Sequence, residues 1–108
     1  MKRGDLYWVN LEPSSPPEFG KVRPSIIVSN TEQNLILNTI VVLPISSQGE
    51  EIWPLRLEIK IKSLSKKSFA IIPGIRQIAK SRITKFIGST SFATQNDLSR
   101  ALEAYLID

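Results

Sequence analysis

The sequence predicts a mainly β (α+β) fold, a small barrel or sandwich of short antiparallel strands finished by one C-terminal helix. Three observations carry that expectation. Short apolar runs alternate with clusters of Pro, Gly and Ser along the chain. The segments 23–30 and 38–46 each hold a continuous apolar stretch, as strands buried on both faces do. Only the C-terminal segment spaces its apolar residues at helical period.

DLYWVNL (5–11) reads as a first strand, rich in aromatic and branched residues. EPSSPPEFGK (12–21) is a loop by its Pro, Ser and Gly content. RPSIIVSN (23–30) and NTIVVLPIS (38–46) are the next strands, and Pro44 within the latter implies a bulge or an edge. PLRLEIKI (54–61) alternates Leu55, Leu57, Ile59 and Ile61 against Arg56, Glu58 and Lys60, a half-exposed strand with one charged face. SLSKKS (63–68) is a basic turn, FAIIP (69–73) a buried strand, and GIRQIAKSR (74–82) an irregular basic connection. ITKFIGST (83–90) alternates again. The final helix takes Thr94 as its N-cap, with Asp97 three residues on and an apolar stripe of Leu98, Ala101, Leu102, Tyr105 and Leu106.

A chain of 108 residues with 42% hydrophobic residues and a mean hydropathy of −0.04 suits one domain, residues 1–108, with one core. No apolar run approaches the roughly 20 residues that cross a bilayer, and MKRGDLYWV lacks the apolar core of a signal peptide. With no cysteine as well, the expectation is a cytoplasmic protein without membrane association. The absence of both His and Cys removes Ser-His-Asp and Cys-His catalysis and the usual zinc sites. Chemistry here must run on Arg, Lys, Glu, Asp, Ser, Thr and Tyr.

The net charge of +4 is unevenly spread. Residues 56–85 hold nine Lys/Arg and one acid, a segment of +8 against −4 for the rest. Such asymmetry is the footprint of a polyanion binder; an ordinary solvated lysine face is the alternative. Trp8, within an apolar strand, reads as core or subunit interface, whereas Trp53 suits either a loop or a stacking platform. Arg3-Gly4-Asp5 spells an adhesion tripeptide, and a glycine turn into the first strand explains it more simply.

Three polar positions stand in apolar or stiffened settings. Pro24 fixes its own φ and suits a strand entrance, and it holds the preceding Arg23 extended. Glu18 lies five residues earlier in the loop, and Ser46 and Ser47 close the run IVVLPI. In a small barrel neighbouring strand ends converge at one rim, so carboxylate, guanidinium and hydroxyl can share a site. That set suits RNA cleavage by the adjacent 2′-hydroxyl: a carboxylate takes a proton, a guanidinium forks onto phosphate oxygens, and a hydroxyl donates to another. Loop solvation, a strand-end charge and a turn former are the plain alternatives for the three.

The chain resembles the MazF/PemK-type toxins, endoribonucleases of bacterial toxin–antitoxin pairs. The likeness runs through RGDLYWVNLEP (3–13), EFGKVRPSIIVSN (18–30), IVVLPISS (40–47), FAIIPGIRQIAKSRI (69–83) and the terminal helix. It implies a CcdB/MazF-like fold, a homodimer of SH3-like antiparallel barrels, that cuts single-stranded RNA without metal or other cofactor. It also implies a cognate acidic antitoxin with a flexible tail. By this resemblance Arg23 and Ser46 fall on catalytic positions and Glu18 on a loop acid proposed to assist. Arg76 and Arg82 fall near the RNA groove, and Lys21, Ser47, Lys66, Lys67 and Lys80 complete the expected RNA-binding surface. Gly74, Gln77 and Ala79 depart from residues frequent in the family, so the cleavage sequence does not carry over. The other readings are a CcdB-like gyrase poison, which cuts nothing, and a plain RNA-binding barrel.

Overall fold

The computed structural model describes all of residues 1–108. Seven strands follow in chain order: β1 Asp5–Asn10, β2 Val22–Ile27, β3 Thr39–Ser46, β4 Arg56–Ile59, β5 Ser68–Ile71, β6 Arg76–Ala79 and β7 Ile83–Ser89. Two helices, α1 Thr31–Ile36 and α2 Phe92–Leu106, complete the chain. The pairing order is β4-β5-β3-β2-β1-β7, with β6 added to β3, and every pair is antiparallel.

β3 is the hub. One edge pairs with β2, while the other gives Thr39–Val42 to β6 and Ile45–Ser46 to β5. Pro44 stands where that second edge passes between partners, the position where a missing N–H is least costly. β2 and β3 are buried on both faces, as their apolar runs predict. Ile26 and Leu43 join Leu6, Ile45, Leu57 and Ile72 under Leu98 and Ala101 of α2. Ile27 and Val42 enter a second cluster with Val9, Leu11, Ile40 and Ile78.

Several expectations are corrected. The segment 74–82 is not irregular: Arg76–Ala79 pairs with Thr39–Val42, followed by a 3₁₀ turn over Lys80–Arg82. Its strand signal is one buried residue, Ile78, among exposed or half-exposed neighbours. Burying that one side chain contributes about 1.5–3 kcal/mol, which favours docking so short a strand. β5 ends at Ile71, and Ile72–Gly74 forms a 3₁₀ turn in which Pro73 suits the first turn.

Thr94 is not the cap of α2. Ser91 is, its hydroxyl accepting from the Thr94 N–H at 3.2 Å. The first turn escaped the periodicity because Phe92 is exposed to solvent. Of the expected stripe, Leu98 and Ala101 are buried, Leu102 packs against the core and Tyr105 and Leu106 are exposed. The helix α1 was not expected at all. Asn30 caps it, accepting from the Glu32 and Gln33 N–H groups, but its one buried residue is Asn34, so it shows no apolar stripe.

Trp8 is not core. Register shifts between Leu6 and Tyr7 and between Trp8 and Val9 interrupt the β1–β7 ladder, and Trp8 is 38% exposed. Gly4 does make the turn expected of it, at φ +91°. Its neighbours serve the fold: the Arg3 guanidinium reaches the Gln95 carbonyl and Ser99 of α2, and Asp5 accepts from the Lys2 N–H and the Ser89 hydroxyl. No helix is long and apolar enough to cross a membrane.

Candidate functional site

The loop between β1 and β2 builds the site. The Leu11 N–H donates to the Lys21 carbonyl at 2.8 Å and closes the loop at its base. Lys21 takes a left-handed conformation, φ +63°. Its N–H donates to Glu12 Oε1 at 2.5 Å, and the Ser14 hydroxyl donates to the same oxygen at 3.1 Å. The Lys21 amide, and after it the Ser14 hydroxyl, hold the Glu12 carboxyl below its ordinary value of 4.5.

Two arginines distant in sequence, Arg76 on β6 and Arg82 in the 3₁₀ turn that follows it, hold the carbonyls of this loop. Arg76 Nη1 on β6 donates to the Leu11 carbonyl at 3.2 Å. Arg82 Nη1 donates to the Asn10 carbonyl at 3.2 Å and also to that of Glu12.

Arg23 emerges from the loop into β2, half-buried. Its Nε donates to the Gly20 carbonyl at 3.0 Å, and its guanidinium carbon lies 5.0 Å from the centre of the Phe19 ring. Its Nη groups make no hydrogen bond within the chain, so the outer fork is free for a ligand. Arg23 lines a groove of about 490 Å³ together with Trp8, Lys21, Ser47, Leu64 and Lys66. No carboxylate lines it. A second groove, about 570 Å³, opens beyond Phe19 and includes Glu18, Pro44, Gly74 and Arg76. Arg23 therefore stands in the wall between the two. A third hollow, about 420 Å³, continues the first through Leu64, Ser65 and Lys66 to Lys60, Lys62 and Lys67.

Ser46, a buried residue, ends β3, and its hydroxyl accepts from the Gln48 N–H at 3.2 Å. The β2–β3 ladder pairs Ser25 with Pro44. The same register carried two residues past its end sets Arg23 across from Ser46, on the face shared by Ser25 and Pro44.

By this register Ser46 stands across from Arg23. The first groove, where Lys21, Ser47 and Lys66 lie beside Arg23, is lined by the neighbours Ile45 and Ser47 and not by Ser46. Glu18 does not join them. It accepts from the Ser15 N–H at 2.9 Å and faces the second groove. Arg76 and Arg82 direct guanidinium donors at backbone carbonyls. Lys80 sits in the 3₁₀ turn, its N–H bonded to the Asn38 carbonyl at 2.9 Å. Lys67 lies 3.9 Å from Glu58, an exposed ion pair of small energy.

Sequence reasoning missed Glu12. An acid directly after an apolar strand carries no pattern, and its partner lies nine residues away across a loop. Trp8, Phe19, Lys60 and Lys62 also gain meaning only from the grooves. Gly74 is set by packing, since a Cβ there would lie 2.6 Å from the Pro44 ring.

A family model described as the PemK-like, MazF-like toxin of type II toxin–antitoxin systems matches residues 2–106. Endoribonuclease MazF9 of Mycobacterium tuberculosis is 31% identical over 113 residues, spanning 98% of this chain and 96% of its own. Endoribonuclease EndoA of Bacillus subtilis is 30% identical over 109 residues, spanning 98% and 94%. The solved MazF of Deinococcus radiodurans aligns with a TM-score of 0.85 at 18% identity, covering 98% of this chain and 96% of that one. An endoribonuclease from a mycobacterial species, solved with its cognate antitoxin, aligns at 0.80 and 21% identity, covering 98% and 94%. The two structural likenesses carry the fold.

Proposed function

The chain belongs to the PemK-like, MazF-like toxin family of type II toxin–antitoxin systems, and from that membership we propose that it is an endoribonuclease toxin cleaving single-stranded RNA. The observation that carries the reading in this chain is Arg23. It offers an uncommitted guanidinium fork in a groove lined by Lys21 and Lys66 and by no carboxylate. A fixed cation there meets a phosphate and repels nothing of its own.

The reaction follows from what such a site can stabilise. The RNA 2′-hydroxyl attacks the adjacent phosphorus while a base takes its proton, and charge builds on the non-bridging oxygens of the phosphorane. Arg23 Nη groups fork onto those oxygens and Ser46 donates its hydroxyl to one of them. The 5′-oxygen then departs, taking a proton from solvent, and leaves a 2′,3′-cyclic phosphate and a 5′-hydroxyl. We assign the proton acceptor to Glu18, for an RNA strand that crosses the Arg23–Phe19 wall from the first groove into the second. Lys21, Ser47, Lys66 and Lys67 follow the backbone on the near side; Arg76, Arg82 and Lys80 lie beyond.

As partners we propose a cognate acidic antitoxin, whose extended tail covers the same basic groove, and a second copy of this chain. Exposed Leu35, Ile36, Phe92, Leu106 and Ile107 leave more apolar surface than one small barrel hides. The site of action is the cytoplasm, where RNA is found.

Incubating the purified protein with single-stranded RNA in EDTA tests the reading. Cleavage to a cyclic phosphate and a 5′-hydroxyl is expected, and RNA with a 2′-deoxy sugar at the cut site should survive. Binding without cleavage would leave a plain RNA-binding barrel. Neither binding nor cleavage would leave a protein poison of the CcdB kind.

A further inference from the structure

We propose that Glu12 is a positioning residue for Arg23, acting through the backbone of the loop between them. An unbroken chain of contacts joins the two. Glu12 Oε1 accepts from the Lys21 N–H at 2.5 Å and from Ser14 at 3.1 Å. The same carboxylate oxygen packs against Gly20, where a Cβ would collide with it and with the Ser14 hydroxyl. The Gly20 carbonyl, in turn, receives the Arg23 Nε–H at 3.0 Å. From the other side, Arg82 and Arg76 fix the carbonyls of Asn10, Leu11 and Glu12.

Each link needs the next. Lys21 holds a left-handed φ of +63°, which an L side chain adopts only where its surroundings impose it. The carboxylate on its N–H is the group that imposes it. That conformation directs the Gly20 carbonyl toward Arg23, and the Nε bond fixes the guanidinium plane while leaving both Nη groups free. A fork aimed this way meets two phosphate oxygens at once; released, it becomes a mobile point of charge. Glu12 itself is exposed and acidic beside a polyanion's groove. A purely electrostatic role would oppose the substrate, so its removal would tighten RNA binding and leave the rate intact.

The inference rests on the nuclease reading for its kinetic test, and a second readout keeps the two separable. In single-turnover cleavage, Glu12→Ala should lower the saturated rate about ten- to a hundredfold, the scale of an ångström-sized misplacement, with little rise in the RNA concentration for half-saturation. Glu12→Gln keeps an oxygen acceptor and should recover most of that rate. Gly20→Ala, which fills the carboxylate's seat while leaving Glu12 in the chain, should reproduce the loss and serves if Glu12→Ala fails to fold.

Independently of cleavage, NMR should show the Lys21 amide protected from exchange in wild type and exposed in Glu12→Ala, with the Arg23 Nε–H resonance shifted. If the wild type cuts no RNA, the nuclease reading fails and these resonances still decide the inference. A full saturated rate in Glu12→Ala, or a Lys21 amide equally protected with and without Glu12, would overturn it.

Discussion

The guanidinium of Arg23 lies 5.0 Å above the ring of Phe19, a residue of the loop, while Arg23 itself belongs to β2. The contact ties the strand that enters the core to the loop that frames both grooves. It also leaves the outer edge of the guanidinium facing the first groove, with only Nε committed.

If Arg23 stabilises the phosphorane, Arg23→Ala should lower the single-turnover rate on the order of 10²–10³-fold, as removing one oxyanion donor does. Arg23→Lys should also be poor, because a point charge does not reproduce a bidentate fork. Phe19→Ala removes a cation–π contact worth about 0.5–1 kcal/mol at an accessible site, so a loss of only a few-fold is expected. Quench-flow or gel-based single-turnover assays measure all three. Full activity in Arg23→Ala would remove it from the mechanism.

Ser46 presents a different balance. Its hydroxyl already accepts from the Gln48 N–H, so its proton is the part left to give to a phosphate. Ser46→Ala should cost less rate than Arg23→Ala, since a neutral donor is lost and not a charge. Ser46→Thr keeps the donor and adds a methyl that narrows χ1, so activity should persist. A Thr variant as slow as the Ala variant would show that the hydroxyl is not the working group.

The strands were readable because β2 and β3 are buried on both faces, and such runs need no partner to be recognised. The short β6 was not, because only Ile78 among its four residues is buried. Site residues divide in the same way. Arg23 announces itself through Pro24, a local constraint that sequence states outright. The roles of Arg76 and Arg82 depend on carbonyls at least 65 residues away, and no spacing rule reaches that far. Glu18 lies five residues before Arg23 in the sequence, yet it lines the second groove and Arg23 the first, a division that sequence distance does not state.

The Glu12 carboxyl sits below its ordinary value because the Lys21 amide favours the ionised form. For a depressed carboxyl, the contribution to loop order is complete above the unfolded value and is lost as pH falls through the folded one. The loop should therefore hold unchanged across neutral and alkaline pH and loosen only in acid, below 4.5. Carbon-detected NMR titration of the Glu12 carboxyl measures the midpoint directly, and Lys21 should shift in step with it. A midpoint at or above 4.5 would contradict the hydrogen-bonded geometry.

Lys66 and Arg82 separate two meanings of a positive charge. Lys66 is exposed and lines both the Arg23 groove and the lysine hollow that continues it, free to sit beside a phosphate. Arg82 donates to the Asn10 and Glu12 carbonyls, so its charge is bound up with the loop. Each phosphate neutralised on a single strand contributes about 0.7 to the slope of log affinity against log salt. Lys66→Ala should lower that slope by about 0.7 and weaken binding at low salt, while the saturated cleavage rate stays near wild type. Arg82→Ala should leave the slope nearly unchanged and instead expose the loop amides to exchange, Lys21 foremost, with a fall in the saturated rate. Affinity measured by fluorescence anisotropy over a salt series, beside hydrogen exchange on the same variants, distinguishes them. A slope that drops equally in both would make Arg82 a phosphate contact and return it to the RNA-binding surface that its position in the sequence suggested.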